Sequence, residues 1–191
     1  MADFSYLKHP ARRIKDGYVH IGQNNVFDVV SEDEIIKGEQ ILGLPFPDQL
    51  KDFYRQIGYG NLTTPHNAPE DYYFYSSNEI LPPSVAARFA KGILEWENQT
   101  HWMSESTCEL LEPGDLPFFE IGDSSSFMIM KLNSDNPNAV WSDCGVKIED
   151  SFERFIWGLY YEDPGYYGDI ITRAYGIYID KGGNILLNDK N

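Results

Sequence analysis

The chain contains 191 residues, 42% of them hydrophobic, and its 15 basic and 30 acidic side chains give a net charge of −15. This length suits one domain that buries its own core without disulfide bonds. The negative charge argues against nucleic acid or anionic membranes as partners and favours a basic protein partner, although acidity can also serve only to keep a protein soluble.

Cysteine content and hydropathy predict a cytoplasmic location. Cys108 and Cys144 are the only cysteines in the sequence, and they form neither a disulfide framework nor a CxxC motif. No apolar run approaches the ~20 residues of a membrane helix, and the N-terminus lacks the apolar stretch of a signal peptide. We therefore expect a single soluble domain over residues 1–191 that does not enter a membrane.

The first part of the chain predicts two short strands and then two helices. The strands are expected at Tyr18–Ile21 and Val26–Val30. A helix begins after Ser31, because Glu34 completes a capping box, and Gly43 provides its stop. A second helix follows Pro47, and its core-facing residues at helical spacing are Leu50, Phe53, Tyr54 and Ile57.

The middle of the chain predicts one more helix and several strands. Extended structure is expected at Tyr72–Tyr75 and Asn78–Leu81, followed by a helix from Ser84 to about Glu97. Residues 98–114 show no clean period and predict a long loop. Further strands are expected at Pro117–Ile121, Ser126–Leu132, Val140–Trp141 and Val146–Ile148.

The C-terminal part predicts a last core helix and a hairpin. The helix begins at Asp150 or Ser151, and its apolar residues follow the spacing of one buried face. The hairpin joins Tyr175–Ile179 to Ile185–Leu187. Helices early in the chain and strands in its middle favour an α+β fold over a regularly alternating parallel one.

No motif for a cofactor, a metal or a catalytic centre stands out. The sequence contains no phosphate-binding glycine loop and no GxSxG motif, and its four histidines are scattered. Two adjacent acid pairs, Glu70-Asp71 and Glu149-Asp150, remain as a candidate acid–base site. Adjacent acids are more typical of helix caps and solvated loops. We therefore predict a protein that is not an enzyme and holds no cofactor or metal.

Several separated segments fit one pattern. They are Leu44-Pro45 followed by Leu50, Phe53-Tyr54 and Gly58-x-Gly60; Asn78-Glu79-Ile80-Leu81-Pro82; Leu116-Pro117-Phe118 with Ile121-Gly122-Asp123; and Asp150-Ser151-Phe152-x-x-Phe155-Ile156. In this order they resemble the SUKH superfamily, which includes the yeast cell-wall-synthesis regulator, the bacterial Syd protein and many bacterial immunity proteins. The resemblance covers about residues 31–160 and leaves 1–30 and 161–191 as N- and C-terminal extensions.

The resemblance implies a central, mostly antiparallel sheet with helices packed around it, and a binding role without catalysis. Many bacterial members resemble immunity proteins that neutralise a toxin, often a nuclease, while others act as regulators or scaffolds. Contact residues vary between members, so few transfer by motif. Asp123 matches the Gly-Asp element, which turn chemistry alone explains.

Acidic stretches rich in tyrosine and tryptophan are the candidate partner-binding residues, since such rings anchor interfaces. One group follows the first acid pair and comprises Glu70, Asp71, Tyr72, Tyr73 and Tyr75. A second is Trp141 with Asp143. A third lies towards the C-terminus and combines four tyrosines with three acids: Tyr160, Tyr161, Tyr166, Tyr167, Glu162, Asp163 and Asp169. Any of these rings can instead close the edge of the core.

Three functions follow as hypotheses. The first is an immunity protein that binds a basic toxin domain in the bacterial cytoplasm. A nuclease is one candidate for that toxin. The second is a regulatory or scaffolding protein of the same fold with housekeeping protein partners. The third is an enzyme that uses the paired carboxylates. The sequence does not fix the oligomeric state.

Overall fold

The structure is a computed structural model that describes residues 1–8, 13–15, 18–21, 25–69, 78–97, 99, 101–122, 126–179 and 185–187. A 3-10 helix lies at Ser5–Lys8. The α-helices in the described residues are α1 Glu32–Leu42, α2 Asp48–Gln56, α3 Pro83–Ala90, α4 Glu105–Leu110, α5 Phe152–Tyr161 and α6 Tyr166–Ala174. The strands are β1 Arg13–Lys15, β2 Tyr18–Ile21, β3 Asn25–Asp28, β4 Tyr59–Asn61, β5 Asn78–Ile80, β6 Asp115–Ile121, β7 Ser126–Lys131, β8 Val140–Ser142, β9 Lys147–Glu149, β10 Ile177–Ile179 and β11 Ile185–Leu187.

Within the described residues, β1 to β9 form one nine-stranded sheet in chain order, and every neighbouring pair is antiparallel. β10 and β11 pair separately. Each strand therefore contacts its neighbour in sequence, with helices inserted between strands. The α+β class and the antiparallel sheet that the sequence predicted are confirmed.

Local chemistry sets the ends of α1 as predicted. The Ser31 hydroxyl accepts a hydrogen bond from the Glu34 backbone N–H, and the Glu34 carboxylate accepts one from the Ser31 N–H. At the other end, the Gly43 N–H donates to the Glu39 carbonyl at 2.8 Å. These bonds satisfy groups that a helix end otherwise leaves unpaired.

The core lies where α2 and α5 cover the sheet. Phe53 of α2 and Phe152 of α5 meet edge-to-face with ring centroids 5.4 Å apart. Phe118 and Phe119 of β6 meet Phe155 at 5.9 and 5.2 Å. Edge-to-face rings gain about 0.5–1.5 kcal/mol per pair beyond the burial of their area. The apolar faces predicted for these two helices are thus confirmed.

Gly60 allows β4 to approach β3 closely. Its φ is +135°, and a Cβ atom placed there would lie 2.2 Å from the Val26 carbonyl oxygen. A side chain would therefore both strain the backbone and collide with the neighbouring strand.

Two sequence predictions were wrong, and one helix was not predicted. The third helix ends at Ala90 instead of about Glu97, because Gly92 turns the chain at a φ of +68°. The predicted loop 98–114 contains α4, which Ser104 caps through the Thr107 N–H. The sequence analysis did not predict α6, which lies between the last core helix and the predicted hairpin. No helix in the described part of the chain combines the length and the apolar character needed to cross a membrane.

Candidate functional site

The first group of predicted binding residues lies outside the described residues, as does the strand predicted at Tyr72–Tyr75. This group comprises Glu70, Asp71, Tyr72, Tyr73 and Tyr75. Asp123 does too. Their role stays a prediction from the sequence.

The second group, Trp141 with Asp143, is built into the hairpin of β7 and β8. The half-buried Trp141 ring lies near two ammonium groups, those of Lys131 and Lys147, each 5.8 Å from its centroid. The Asp143 carboxylate accepts a hydrogen bond from the Phe127 N–H at 3.0 Å. Burial raises the pKa of Asp143, while backbone hydrogen bonds oppose that shift. Both lysines are themselves paired with carboxylates, Lys131 with Glu112 and Lys147 with Asp150, so the setting of Trp141 is charged but not basic. Asp143 supports the strand pair.

The third group, around Tyr161, belongs to a larger set of rings that we call the aromatic patch: Tyr6, His66, Trp157, Tyr160 and Tyr161. The Tyr161 ring centroid lies 5.2 Å from that of Trp157, 5.6 Å from that of Tyr6 and 5.2 Å from that of His66. Trp157 and Tyr161 keep 36% and 39% of their surfaces exposed. The patch therefore presents large rings to solvent on a packed base.

Three distant parts of the chain build this patch. Trp157, Tyr160 and Tyr161 come from α5, and Tyr6 comes from the N-terminal 3-10 helix. His66 is held by its backbone N–H, which donates to the Tyr160 carbonyl at 2.6 Å, and by a 3.2 Å contact between its Nδ1 and the Tyr160 hydroxyl. Glu70 follows His66 by four positions, so the first predicted group is close in sequence to a residue of the patch.

Acidic groups border the aromatic patch. The carboxylate of Glu162 binds the Arg154 guanidinium at 2.7 Å, and that guanidinium lies 4.2 Å from the centroid of the Trp157 ring. Glu162 and Asp163 are both exposed. Burial, and then the negative charge of Glu153, raise the pKa of Tyr6. The patch is thus an aromatic surface with an acidic rim and one paired arginine.

Trp157, His66 and Tyr6 are patch residues that the sequence prediction missed. One signal for Trp157 was present: the buried face of α5 is complete with Phe152, Phe155, Ile156 and Leu159, so a large ring between them points away from the core. Nothing local marks Tyr6 or His66, because only tertiary packing brings them to α5.

The acid pairs proposed for catalysis do not converge in the described residues. The Asp150 carboxylate pairs with Lys147, whereas Glu149 lies 4.0 Å from Arg154 and accepts a 3.4 Å hydrogen bond from the Tyr166 hydroxyl. Glu70 and Asp71 lie outside the described residues. Glu149 and Asp150 thus have separate structural partners.

A different ionisable cluster, which the sequence did not reveal, lies on the sheet. The imidazole of His101 is 9% exposed and contacts two carboxylates, Glu79 of β5 and Glu120 of β6. The two carboxylates face different imidazole nitrogens: Nε2 lies 3.8 Å from Glu79, and Nδ1 lies 3.5 Å from Glu120. Burial raises the pKa of Glu79, and the negative charge of Glu120 adds to that shift, while His101 opposes it.

The fold and the patch together define a class: an α+β domain whose antiparallel sheet and helices carry an exposed aromatic surface with an acidic rim. The chain belongs to the SMI1/KNR4 family (SUKH-1), whose family model matches residues 29–158. The resemblance to the SUKH superfamily is thereby confirmed. A curated relative, immunity protein YxxD of Bacillus subtilis (strain 168), is 27% identical over 154 residues, which cover 81% of this chain and 95% of that protein.

Proposed function

We propose that the protein is an immunity protein that binds a bacterial toxin in the cytoplasm and neutralises it without catalysis. Family membership and the similarity to an immunity protein along most of both chains support this function. The observation that carries the binding part is the aromatic patch, where Trp157 and Tyr161 are exposed on a packed base. The proposed mode of action is steric: the bound protein covers the surface that the toxin needs.

The chemistry of the patch favours a basic partner. Tryptophan and tyrosine are enriched among the residues that dominate binding energy, because they bury much area with few rotatable bonds. The acidic rim and the net charge of −15 attract a cationic protein. Such steering can raise association rates toward ~10⁸–10⁹ M⁻¹s⁻¹ at low salt. A nuclease is the toxin class that fits, since it needs positive charge to hold phosphates.

The test is co-expression with the toxin encoded beside the gene, combined with calorimetric measurement of affinity. We expect the protein to restore growth and to bind in a one-to-one complex. Trp157→Ala and Tyr161→Ala should each weaken binding at least about tenfold, as for central interface rings. Raising the salt concentration should slow association much more than it speeds dissociation.

Trp102→Ala is the matched control, because Trp102 is 68% exposed and no contact described in the structure joins it to the patch. Its affinity should equal that of the unchanged protein. Trp141→Ala tests the second predicted group in the same way. Full protection by the double variant Trp157→Ala/Tyr161→Ala would exclude the patch as the binding site. Failure to protect against the neighbouring toxin would reject the immunity function and favour the regulatory or scaffolding alternative.

A further inference from the structure

We propose that Glu79, His101 and Glu120 form a binding site for one divalent transition-metal ion of the zinc type. This site shares no residue with the aromatic patch that is proposed to bind the toxin. The sequence analysis predicted no metal ion for this protein.

Strand pairing fixes two of the three ligands. Glu79 and Glu120 are direct partners in the register of β5 and β6, so their side chains lie on the same face of the sheet. Two carboxylates placed opposite each other repel, and such a pair destabilises a sheet unless another group compensates. His101 arrives from the segment between α3 and α4 and inserts its imidazole against both.

The distances suit a metal ion. One nitrogen of His101 and one oxygen of each glutamate all lie within 4.8 Å of one another. Zinc binds imidazole nitrogen and carboxylate oxygen at about 2.0–2.2 Å, which places neighbouring ligand atoms roughly 3–4 Å apart. Small side-chain shifts would therefore bring the three atoms into a shared coordination sphere, and water would complete it. Nε2 now faces Glu79 and Nδ1 faces Glu120, so a metal bound through one nitrogen would leave the other to hydrogen-bond a carboxylate oxygen and orient the ring.

The charge balance also favours a cation. The negative charge of two carboxylates exceeds the positive charge of one imidazole, whether or not that imidazole is protonated. Within the described residues, His101 is the only ion-pair partner of either glutamate. The charge of Asp28 on β3 adds to the negative potential at Glu79. Partial burial strengthens these interactions, because less water screens them. The side chains of Glu79 and Glu120 remain 27% and 21% exposed, so an ion can enter.

The ligand set selects among metals. Imidazole binds zinc and similar ions in preference to magnesium or calcium, which take oxygen ligands. We therefore expect Zn²⁺ and Co²⁺ to bind much more tightly than Mg²⁺. Because the ion would bind only the folded state, saturation should raise the thermal midpoint.

The test uses full-length, tag-free protein stripped of metal with a chelator. Calorimetric titration with ZnCl₂ should show one saturable site, and Co²⁺ should give visible absorption bands that report nitrogen and oxygen ligation. Glu79→Gln, His101→Gln and Glu120→Gln should each lower zinc affinity about tenfold or more, the range seen when groups supporting a metal site are lost. The glutamine variants retain polar side chains, so circular dichroism should show an unchanged fold.

Two variants control for general acidic binding. His66→Gln removes a histidine of the aromatic patch, and Glu97→Gln removes an exposed acid in the segment that leads to His101. Both should bind zinc like the unchanged protein. Several weak sites that no single substitution alters, an absence of saturable zinc binding, or equal zinc affinity in His101→Gln would each overturn the proposal. In that case His101 acts only as a link between the two glutamates.

Discussion

At the scale of single residues, Asn78 illustrates how a buried polar group joins distant elements. Its side chain is fully buried at the start of β5. The amide nitrogen donates to the Pro164 carbonyl at 2.6 Å, and the amide oxygen accepts from the Tyr167 hydroxyl at 2.8 Å. These two bonds connect the sheet to the start of α6.

Replacing Asn78 should therefore be costly. Asn78→Ala leaves the Pro164 carbonyl and the Tyr167 hydroxyl without their partner, and we expect the free energy of unfolding to fall by about 2–4 kcal/mol. Tyr167→Phe leaves only the Asn78 oxygen unpaired and should cost about 1–2 kcal/mol. Urea unfolding of both single variants and the double variant gives the coupling energy between the two side chains. Strictly additive effects would contradict a direct bond.

At the scale of elements, α5 and α6 form a helix pair. The family segment ends within α5, and α6 lies beyond it. Gly158 of α5 lies under the ring of Tyr166 in α6, where an added Cβ atom would approach the ring to 2.8 Å. Gly168 of α6 has open space around the position of a Cβ atom. A side chain at position 158 would therefore collide with a neighbour, whereas one at position 168 would not.

This difference predicts opposite effects of one substitution. Gly168→Ala should stabilise the protein by about 0.5–1 kcal/mol, because alanine restricts the unfolded chain and favours helix. Gly158→Ala should destabilise it by about 1–3 kcal/mol, since the methyl group displaces the Tyr166 ring. Thermal unfolding of both variants provides the measurement. Stabilisation by Gly158→Ala would show that α6 packs less closely on α5 than described.

The elements that the sequence predicted well are those with local signals. The capping box of α1 and the apolar stripes of α2 and α5 depend on residues a few positions apart. α4 was missed although Ser104 and Thr107 form a cap, because its six residues are too short to show a period. α6 was missed because Gly168 and two tyrosines, Tyr166 and Tyr167, obscure its apolar face.

At the scale of the whole molecule, buried tyrosines make the folded state sensitive to alkali. Burial raises the pKa values of Tyr6, Tyr54 and Tyr166 above the ordinary 10.0. It raises that of Tyr167 to about 12, although its hydrogen bond to Asn78 acts in the opposite direction. The unfolded chain therefore loses phenolic protons at a lower pH than the folded chain does.

We accordingly expect stability to fall as the pH rises above about 10, where unfolded tyrosines ionise. A tyrosine whose pKa is higher in the folded state stabilises the fold fully at a pH below its unfolded pKa. That stabilisation is lost as the pH rises from the unfolded pKa to the folded pKa. The loss should approach about 1.4 kcal/mol per pH unit for each such tyrosine. Urea unfolding between about pH 9 and pH 11 measures the slope, and Tyr54→Phe should make it shallower. A constant free energy of unfolding over this range would contradict the burial of these hydroxyls.

The candidate sites were less predictable than the fold. Tyr161, Glu162 and Asp163 were proposed from local composition, and the structure places Tyr161 beside Trp157, Tyr6 and His66. Composition could suggest that tyrosines lie near acids. It could not indicate which rings share a surface, since Tyr6 and Tyr161 are far apart in the chain.

The sequence by itself determined the α+β class, the helix ends with strong caps, most strands and membership of the family, because these depend on short-range patterns and their order. Tertiary structure alone decided that Glu79 and Glu120 face each other with His101 between them, and that rings from three segments form one patch. The physical reason is that strand register and helix packing are set by the burial of the whole core. No local pattern encodes which distant side chains that burial brings together.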